Sequence, residues 1–382
     1  MTKDMGCGII CEYNPFHNGH RYQIGYAREK MGQSVVCAMS GNFVQRGEPA
    51  CMDKKLRASQ AVHGGASVVL EIPFPYSSMS AERFARAGVD ILSSCGMCSH
   101  LLFGSECSDV GALTEIASAL LDSGLQKDIQ VYQKENPSAG YARARKEILC
   151  RKLGNTLGEI STNPNDILGI EYIKAIRSSG SRLIPVAMAR SSARGAAPSG
   201  IFASSSQIRN MIVGGKCAEA EKYVPDAGVL TNAVHHSFFR EALHVSLMTK
   251  KPEELRGICE INGGLEHAVI KAARTSGSYS EMFEILRCKT LTDAKIRRML
   301  LFAFFGITEK AAKQPVAYTS VIDSAHSEEA LELLRLSRKQ KQIIVARRAS
   351  AVRENRLAFE QYKINDLCEH VLKSCYKPCY KY

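Results

Sequence analysis

GCGIICEYNPFHNGHRYQI, residues 6–24, is the stretch from which the fold is read. Gly6 to Cys11 is an apolar run of strand length, and a helix follows from about His20 to Met31, with Gly32 as its stop signal. A strand that feeds a helix through a short polar loop is the unit of a doubly wound sheet. In such sheets ligands sit at the carboxyl ends of the strands. There a helix N-terminus offers free N–H groups and the positive end of its dipole to phosphate. His17 and His20 lie three apart on the first helical turn and would both face that crevice, where Gly19 leaves room for an adenine ring or phosphate. Histidine suits nucleotidyl transfer because it donates hydrogen bonds to oxygens whose charge grows in the transition state. A helix cap and a core residue would also account for the two rings, since a bare His-x-x-His pair is common.

Outward from this segment the same alternation continues. Ser34 to Met39, Ser67 to Ile72, His100 to Phe103 and Arg182 to Ala189 read as strands. Helices are predicted over Asp53 to His63, after an N-cap at Ser80, near Ile167 to Ser178, and in a short piece after Ser204-Ser205-Ser206. The alternation predicts an α/β domain with a doubly wound parallel sheet over residues 1–215. Beyond Gly215 the segments Ser280 to Cys288, Leu291 to Phe305 and Glu328 to Arg348 have helical periodicity and abundant Lys and Arg, and no strand is expected. Residues 216–382 therefore read as a second, mostly α-helical, basic domain.

A chain of 382 residues accommodates two domains. Lys plus Arg outnumber Asp plus Glu by 50 to 38, a net charge of +12 that suits a polyanionic partner, although a plain basic surface also explains it. No apolar run approaches the roughly 18 residues of a membrane helix, and the N-terminus enters a strand rather than a signal peptide, so a cytoplasmic protein is expected. The 14 cysteines are scattered. The close pairs Cys95/Cys98 and Cys375/Cys379 fall in different predicted domains, so reduced thiols and no metal site are expected.

Six ordered blocks give the chain a resemblance to a known family: residues 8–24, MSGNFVQRGEPA (39–50), DKKLRASQAV (53–62), FGSE (103–106), NPNDILGIEYIKAI (163–176) and SSSQIR (204–209). Together they resemble the bacterial tRNA(Met) cytidine acetate ligases, a branch of the HIGH-motif nucleotidyltransferases with a HUP/Rossmann-like catalytic domain. The resemblance implies ATP, carried with Mg²⁺, as cofactor, acetate as the acid that is activated, and elongator methionine tRNA as acceptor. It implies ATP contacts from Ile10, Cys11, Glu12, Tyr13, Asn14, Pro15, Phe16, His17, Asn18, Gly19 and His20, and from Gly104, Asn165 and Arg190. The family's Pro-Asn-Asn-x-Leu block reads Pro164-Asn165-Asp166-Ile167-Leu168 here, which matters for any role needing an amide donor at Asp166. Its Arg-Ile-Gly-x-x-Tyr segment is replaced by Arg190-Ser191-Ser192-Ala193-Arg194, with Arg194 as a substitute for Arg190.

Each block also has a reading of its own. Ser40 to Glu48 borders the crevice, where Arg46 would meet phosphate or tRNA; an ordinary surface loop is the bland account. Lys54 would reach the triphosphate as a mobile point charge and Arg57 would pair with an acid, unless both are a solvated helix face. Ser204, Ser205, Ser206 and Gln207 at a helix start, with Arg209 one turn in, would grip pyrophosphate, or merely cap the helix.

The implied reaction has two steps. Acetate attacks the α-phosphate of ATP, with His17, His20, Lys54 and Arg209 balancing charge. The N4 amine of the wobble cytidine, splayed from its stack, then attacks the acetyl carbonyl of acetyl-AMP. The basic helical half, including Arg335 to Lys341 and Arg347-Arg348, would grip tRNA. Two other functions fit the same residues: a nucleotidyltransferase acting on a small molecule, and an RNA-binding protein without catalysis on this fold. Tests for pyrophosphate release and for stimulation by tRNA separate the three.

Overall fold

The computed structural model describes residues 5–190, 200–234, 236–288, 290–337, 343–346 and 349–375. Arg194, the basic stretch 338–341, Arg347, Arg348 and Cys379 lie outside them.

The described residues form nine strands: β1 (Gly6–Cys11), β2 (Val35–Ser40), β3 (Phe43–Val44), β4 (Glu48–Pro49), β5 (Val68–Ile72), β6 (Cys98–Ser105), β7 (Ile184–Ala189), β8 (Tyr318–Ser324) and β9 (Ile344–Ala346). Seven form one sheet in the order β7-β6-β1-β2-β5-β8-β9, and β3 pairs with β4 as a separate hairpin. The first five of the seven are mutually parallel. The chain leaves β1 toward β2 and β5 and then crosses back to β6 on the other side. This reversal places a topological switch point between the carboxyl ends of β1 and β6.

Burial on both faces explains the near-continuous apolar strands. Cys7, Ile9 and Cys11 of β1 join Val35, Cys37 and Met39 of β2 in one core, with Ile24 of the Asn18–Glu29 helix and Ala58 and Ala61 of the Lys54–His63 helix. Val36 and Ala38 of β2 point the other way, toward the Ala81–Ser94 helix, against which the Pro164–Ser179 helix packs. Close approach there needs a residue without a side chain: a Cβ on Gly88 would sit 2.7 Å from the Ile10 side chain.

The C-terminal half is mostly helical, including Ser237–Thr249, Leu265–Thr275, Tyr279–Leu286, Asp293–Phe305, Glu328–Ser337 and Arg356–Cys375. The expectation that it holds no strand is corrected. β8 runs antiparallel to β5 and extends the sheet, with β9 parallel beside it. Of the helix expected over residues 328–348, Glu328–Ser337 is helical, and Ile344–Ala346 is strand. Among the described residues, no helix is long and apolar enough to cross a membrane.

The loop after β2 turns out to be anchored. Phe43 and Val44 are buried. Phe43 lies 5.3 Å from Phe74 and 5.6 Å from Phe239 of the helical half, while Glu48 meets Arg297 at 2.9 Å. A Cβ on Gly47, at φ +74°, would collide with the backbone at Arg298. The loop pegs the two halves together and leaves Gln45 and Arg46 facing the crevice.

Candidate active site

The segment between β1 and its helix is fixed from several sides. Arg57, read from sequence as a partner for an acid, donates to the carbonyls of Met52 (3.0 Å), Glu12 (2.5 Å), Ser40 (3.2 Å) and Gly41. Asn14 accepts from the Cys51 amide at 2.7 Å, and its carbonyl accepts from Arg209 at 2.5 Å. Tyr13 and Phe16 are core residues whose rings meet edge to face at 4.9 Å. Asn18 ties the first helix to the carbonyls of Ile201 and Lys222.

His17 is both helix cap and crevice residue. Its Nδ1 accepts from the Gly19 amide at 3.1 Å, while Nδ1 of His20 accepts from the His17 amide at 3.3 Å. The rings stack with centroids 3.6 Å apart. Burial, then the nearby Arg190 and Arg209, pushes His17 down to about 3; burial, then His17 and Arg190, lowers His20 well below its ordinary value. Both rings are therefore neutral at pH 7. Because each Nδ1 accepts a backbone proton, each ring carries its own proton on Nε2. The pair supplies two neutral N–H donors on the crevice wall.

A buried neutral histidine binds its proton less readily in the folded chain than in the unfolded one. Its contribution is complete above about pH 6.5 and is lost as the pH falls from there toward about 3. Thermal melts of wild type and His17→Asn between these limits check this: the wild-type midpoint should fall with acidification more steeply than the variant's.

Two connected cavities open on the rings. One, of about 460 Å³, is lined by Gly19, Tyr22, Gln23, Gly104, Met188, Ala189, Arg190 and Phe202 beside the histidines. The other, of about 290 Å³, shares His17, His20, Gln23, Gly104 and Arg190 and runs on past Glu12, Gln45, Arg46, Asn165, Tyr172, Ser204, Ser205, Ser206 and Arg209. Ile10, Cys11 and Tyr13 also line the second cavity, whereas Asn14, Pro15, Phe16 and Asn18 line neither and act on the loop's shape. The two glycines make room first for the chain itself. A Cβ on Gly19 would lie 3.0 Å from the His17 ring, and one on Gly104 would lie 3.1 Å from the Arg190 side chain.

Asp166 explains its own departure from the family block. Fully buried, it accepts from Ser105 Oγ (2.5 Å), the Glu106 amide (2.9 Å), the Cys107 amide (3.2 Å) and Asn163 Nδ2 (2.9 Å). All four partners are donors, so a carboxylate fits where an amide would bring an extra NH₂. Glu106 reciprocates by accepting from the Asn165 amide and its Nδ2 and from the Asp166 amide. Asp166→Asn should cost about 1–3 kcal/mol in denaturant unfolding, the penalty for leaving buried donors unpaired. At the other wall Ser204 and Gln207 form a reciprocal cap, and Ser206 accepts from Arg209 at 3.1 Å.

Lys54 stands apart from this group. Its amino group lies 2.9 Å from Glu71 and 2.8 Å from Glu369, and it lines a different cavity, beside Tyr362 and Asn365. Burial works against its charge, but the two carboxylates outweigh that and raise its pKa. Glu369, despite burial, is drawn down to about 2 by Lys54 and Lys373. The structure thus gathers His17, His20, Arg190 and Arg209 and places Lys54 in an ion-paired cluster elsewhere. Gln23, Tyr172, Met188, Ala189 and Phe202 are lining residues with no sequence signal beyond their nearness to motif residues. Among the described residues no group of three His, Cys, Asp or Glu side chains could hold a metal ion, and Cys95 and Cys98 are buried thiols with raised pKa values.

This geometry has counterparts. The profile of the HIGH Nucleotidyl Transferase family matches residues 5–381. The tRNA(Met) cytidine acetate ligase of Thermoanaerobacter sp. (strain X514) is 31% identical over 362 residues, covering 91% of this chain and 89% of that protein. The protein of the same name from Bacillus velezensis is 36% identical over 310 residues, 76% of this chain and 74% of its own. The crystal structure of Thermotoga maritima TmcAL bound with alpha-thio ATP superposes with a TM-score of 0.90 at 28% identity, covering 98% of this chain and 95% of that one. Family profile, sequence identity and overall fold agree, and the chain belongs to the HIGH nucleotidyl transferases, among the tRNA(Met) cytidine acetate ligases.

Proposed function

We propose that this enzyme is an ATP-dependent tRNA ligase that joins acetate to N4 of the wobble cytidine of elongator methionine tRNA through acetyl-AMP. The observation that carries the reading is the pair of connected cavities meeting at two neutral histidines and Arg190, with Arg209 on the wall of the second. In this reading the adenosine lies along Gly19, Gly104, Met188 and Ala189. The phosphates lie over Nε2–H of His17 and His20, within reach of Arg190 and Arg209. A neutral donor stabilises growing oxyanion charge without the cost of burying a cation, and the arginines supply the opposing charge. Acetate enters through the second cavity and attacks the α-phosphorus; pyrophosphate leaves past the Ser204–Ser206 helix start and Arg209. Mg²⁺ fits as an ion carried on the triphosphate, because the lining provides one carboxylate and no dedicated cage. The basic helical half grips the tRNA.

The test incubates the protein with ATP, Mg²⁺, labelled acetate and purified elongator methionine tRNA, then digests the RNA. The expected result is label in N4-acetylcytidine. Pyrophosphate release with another acid or a small-molecule acceptor would overturn the acceptor assignment. ATP binding or RNA binding with no turnover would overturn the enzymatic one.

A further inference from the structure

We infer that Glu12 is the residue that receives the amine: its carboxylate accepts a hydrogen bond from N4 of the target cytosine and takes the proton that N4 sheds on acylation. The inference rests on the tRNA ligase reading above and adds to it a role for one side chain.

Among the described residues lining the two cavities, Glu12 is the one carboxylate, against Arg46, Arg190 and Arg209. For the first half of the reaction this placement is adverse. ATP and acetate are both anions, and a carboxylate on their cavity wall repels them. A group that hinders the first step finds its use where the ligand has the opposite demand. The second substrate is an exocyclic amine, a donor with two N–H bonds, and carboxylates are the usual acceptors for N4 of cytosine.

Glu12 is also held as such a group should be. It is the first residue after β1, at the switch point, and its carbonyl is fixed by Arg57 at 2.5 Å. Its Oε1 accepts from the Gln45 amide at 2.9 Å, and among the described residues Oε2 has no hydrogen-bond partner. The peg formed by Phe43 and Val44 fixes Gln45, so the carboxylate is aimed before substrate arrives. Behind it, Phe84, Phe103 and Tyr172 provide an apolar and aromatic wall for a flat base.

The step balances. The N4 lone pair forms the C–N bond at the acetyl carbon, the C–O bond to the adenylate phosphate breaks, and AMP leaves with that electron pair. The proton lost by N4 passes to Glu12 and then to solvent. No oxidant or further reactant is needed.

The half-reactions separate the outcomes. Acetate-dependent exchange of labelled pyrophosphate into ATP reports the first; transfer of label to tRNA reports the second. Glu12→Gln keeps the acceptor for the Gln45 amide; whatever it does to exchange, kcat for transfer should fall about 10²–10⁴-fold further than exchange does. KM for tRNA should move far less than kcat. Glu12→Asp, which retains a carboxylate, should keep more transfer than Glu12→Gln. Loss of exchange equal to that of transfer would place Glu12 with ATP and its Mg²⁺ and overturn the inference, as would unchanged transfer or equal losses in Gln and Asp. A wild-type enzyme that exchanges pyrophosphate but leaves tRNA unlabelled would instead overturn the acceptor reading on which this one rests.

Discussion

Replacing His20 by alanine is expected to lower acetate-dependent pyrophosphate release about 10²–10³-fold, the usual cost of deleting one preorganised donor to a developing oxyanion. The loss should fall on kcat more than on KM for ATP, because the donor matters most where charge is growing. Two effects combine in this variant. The Nε2–H donor disappears, and the His17 amide loses the Nδ1 acceptor 3.3 Å away that helps hold the loop. Since both rings are neutral well below pH 7, neither should add a titration limb to the wild-type rate between about pH 5 and 8, where an ordinary histidine would. A drop of less than about fivefold in kcat would show that the pair shapes the loop without touching phosphate.

The second large effect concerns stability. Lys54→Met should reduce the free energy of unfolding by about 3–5 kcal/mol, because it strands the buried carboxylate of Glu71 without its counter-charge. Glu71 is 1% exposed, so water cannot make up the loss. Adding Glu71→Gln should return most of it, since the amide keeps an acceptor for Asn365 Nδ2, 3.1 Å away, and removes the charge. Denaturant melts of the two single variants and the double variant measure the coupling. ATP affinity of the folded Lys54→Met protein should stay within about threefold of wild type. A stable variant with lost turnover would return Lys54 to the phosphates.

Lys54 marks the limit of what motif spacing conveys. Its block lies in order with the others, and a lysine at the start of a helix beside a nucleotide crevice is chemically apt. Nothing local reveals Glu369, more than 300 residues on, which closes over it. The central strands were legible because burial on both faces leaves nearly unbroken apolar runs, as in VVCAM at residues 35–39. β8 was not: YTSVIDS carries two polar pairs, Thr319-Ser320 and Asp323-Ser324, and is half-buried over most of its length, and β9 has three residues. The histidines were legible because they sit at the one strand-to-helix turn that must face ligand. The Arg57 carbonyl clamp and the four donors around Asp166 depend on three-dimensional closure and leave no trace in spacing.

The late strand and the last helix also set a timetable. Glu71 leaves the ribosome early, yet its carbonyl waits for Thr319 Oγ1 across 248 residues and its carboxylate for Asn365 across 294. At synthesis rates of about 5–20 residues per second the second partner follows roughly 15–60 s later. During that interval the edge of β5 is uncovered, a row of unpaired backbone groups next to a charge without its full set of partners. The nascent catalytic half can acquire its histidine crevice while one flank of its sheet still lacks a neighbour. The stretch from 318 to 369 is therefore the seal on a domain begun three hundred residues earlier, and chains arrested before Asn365 should be the ones that chaperones retain.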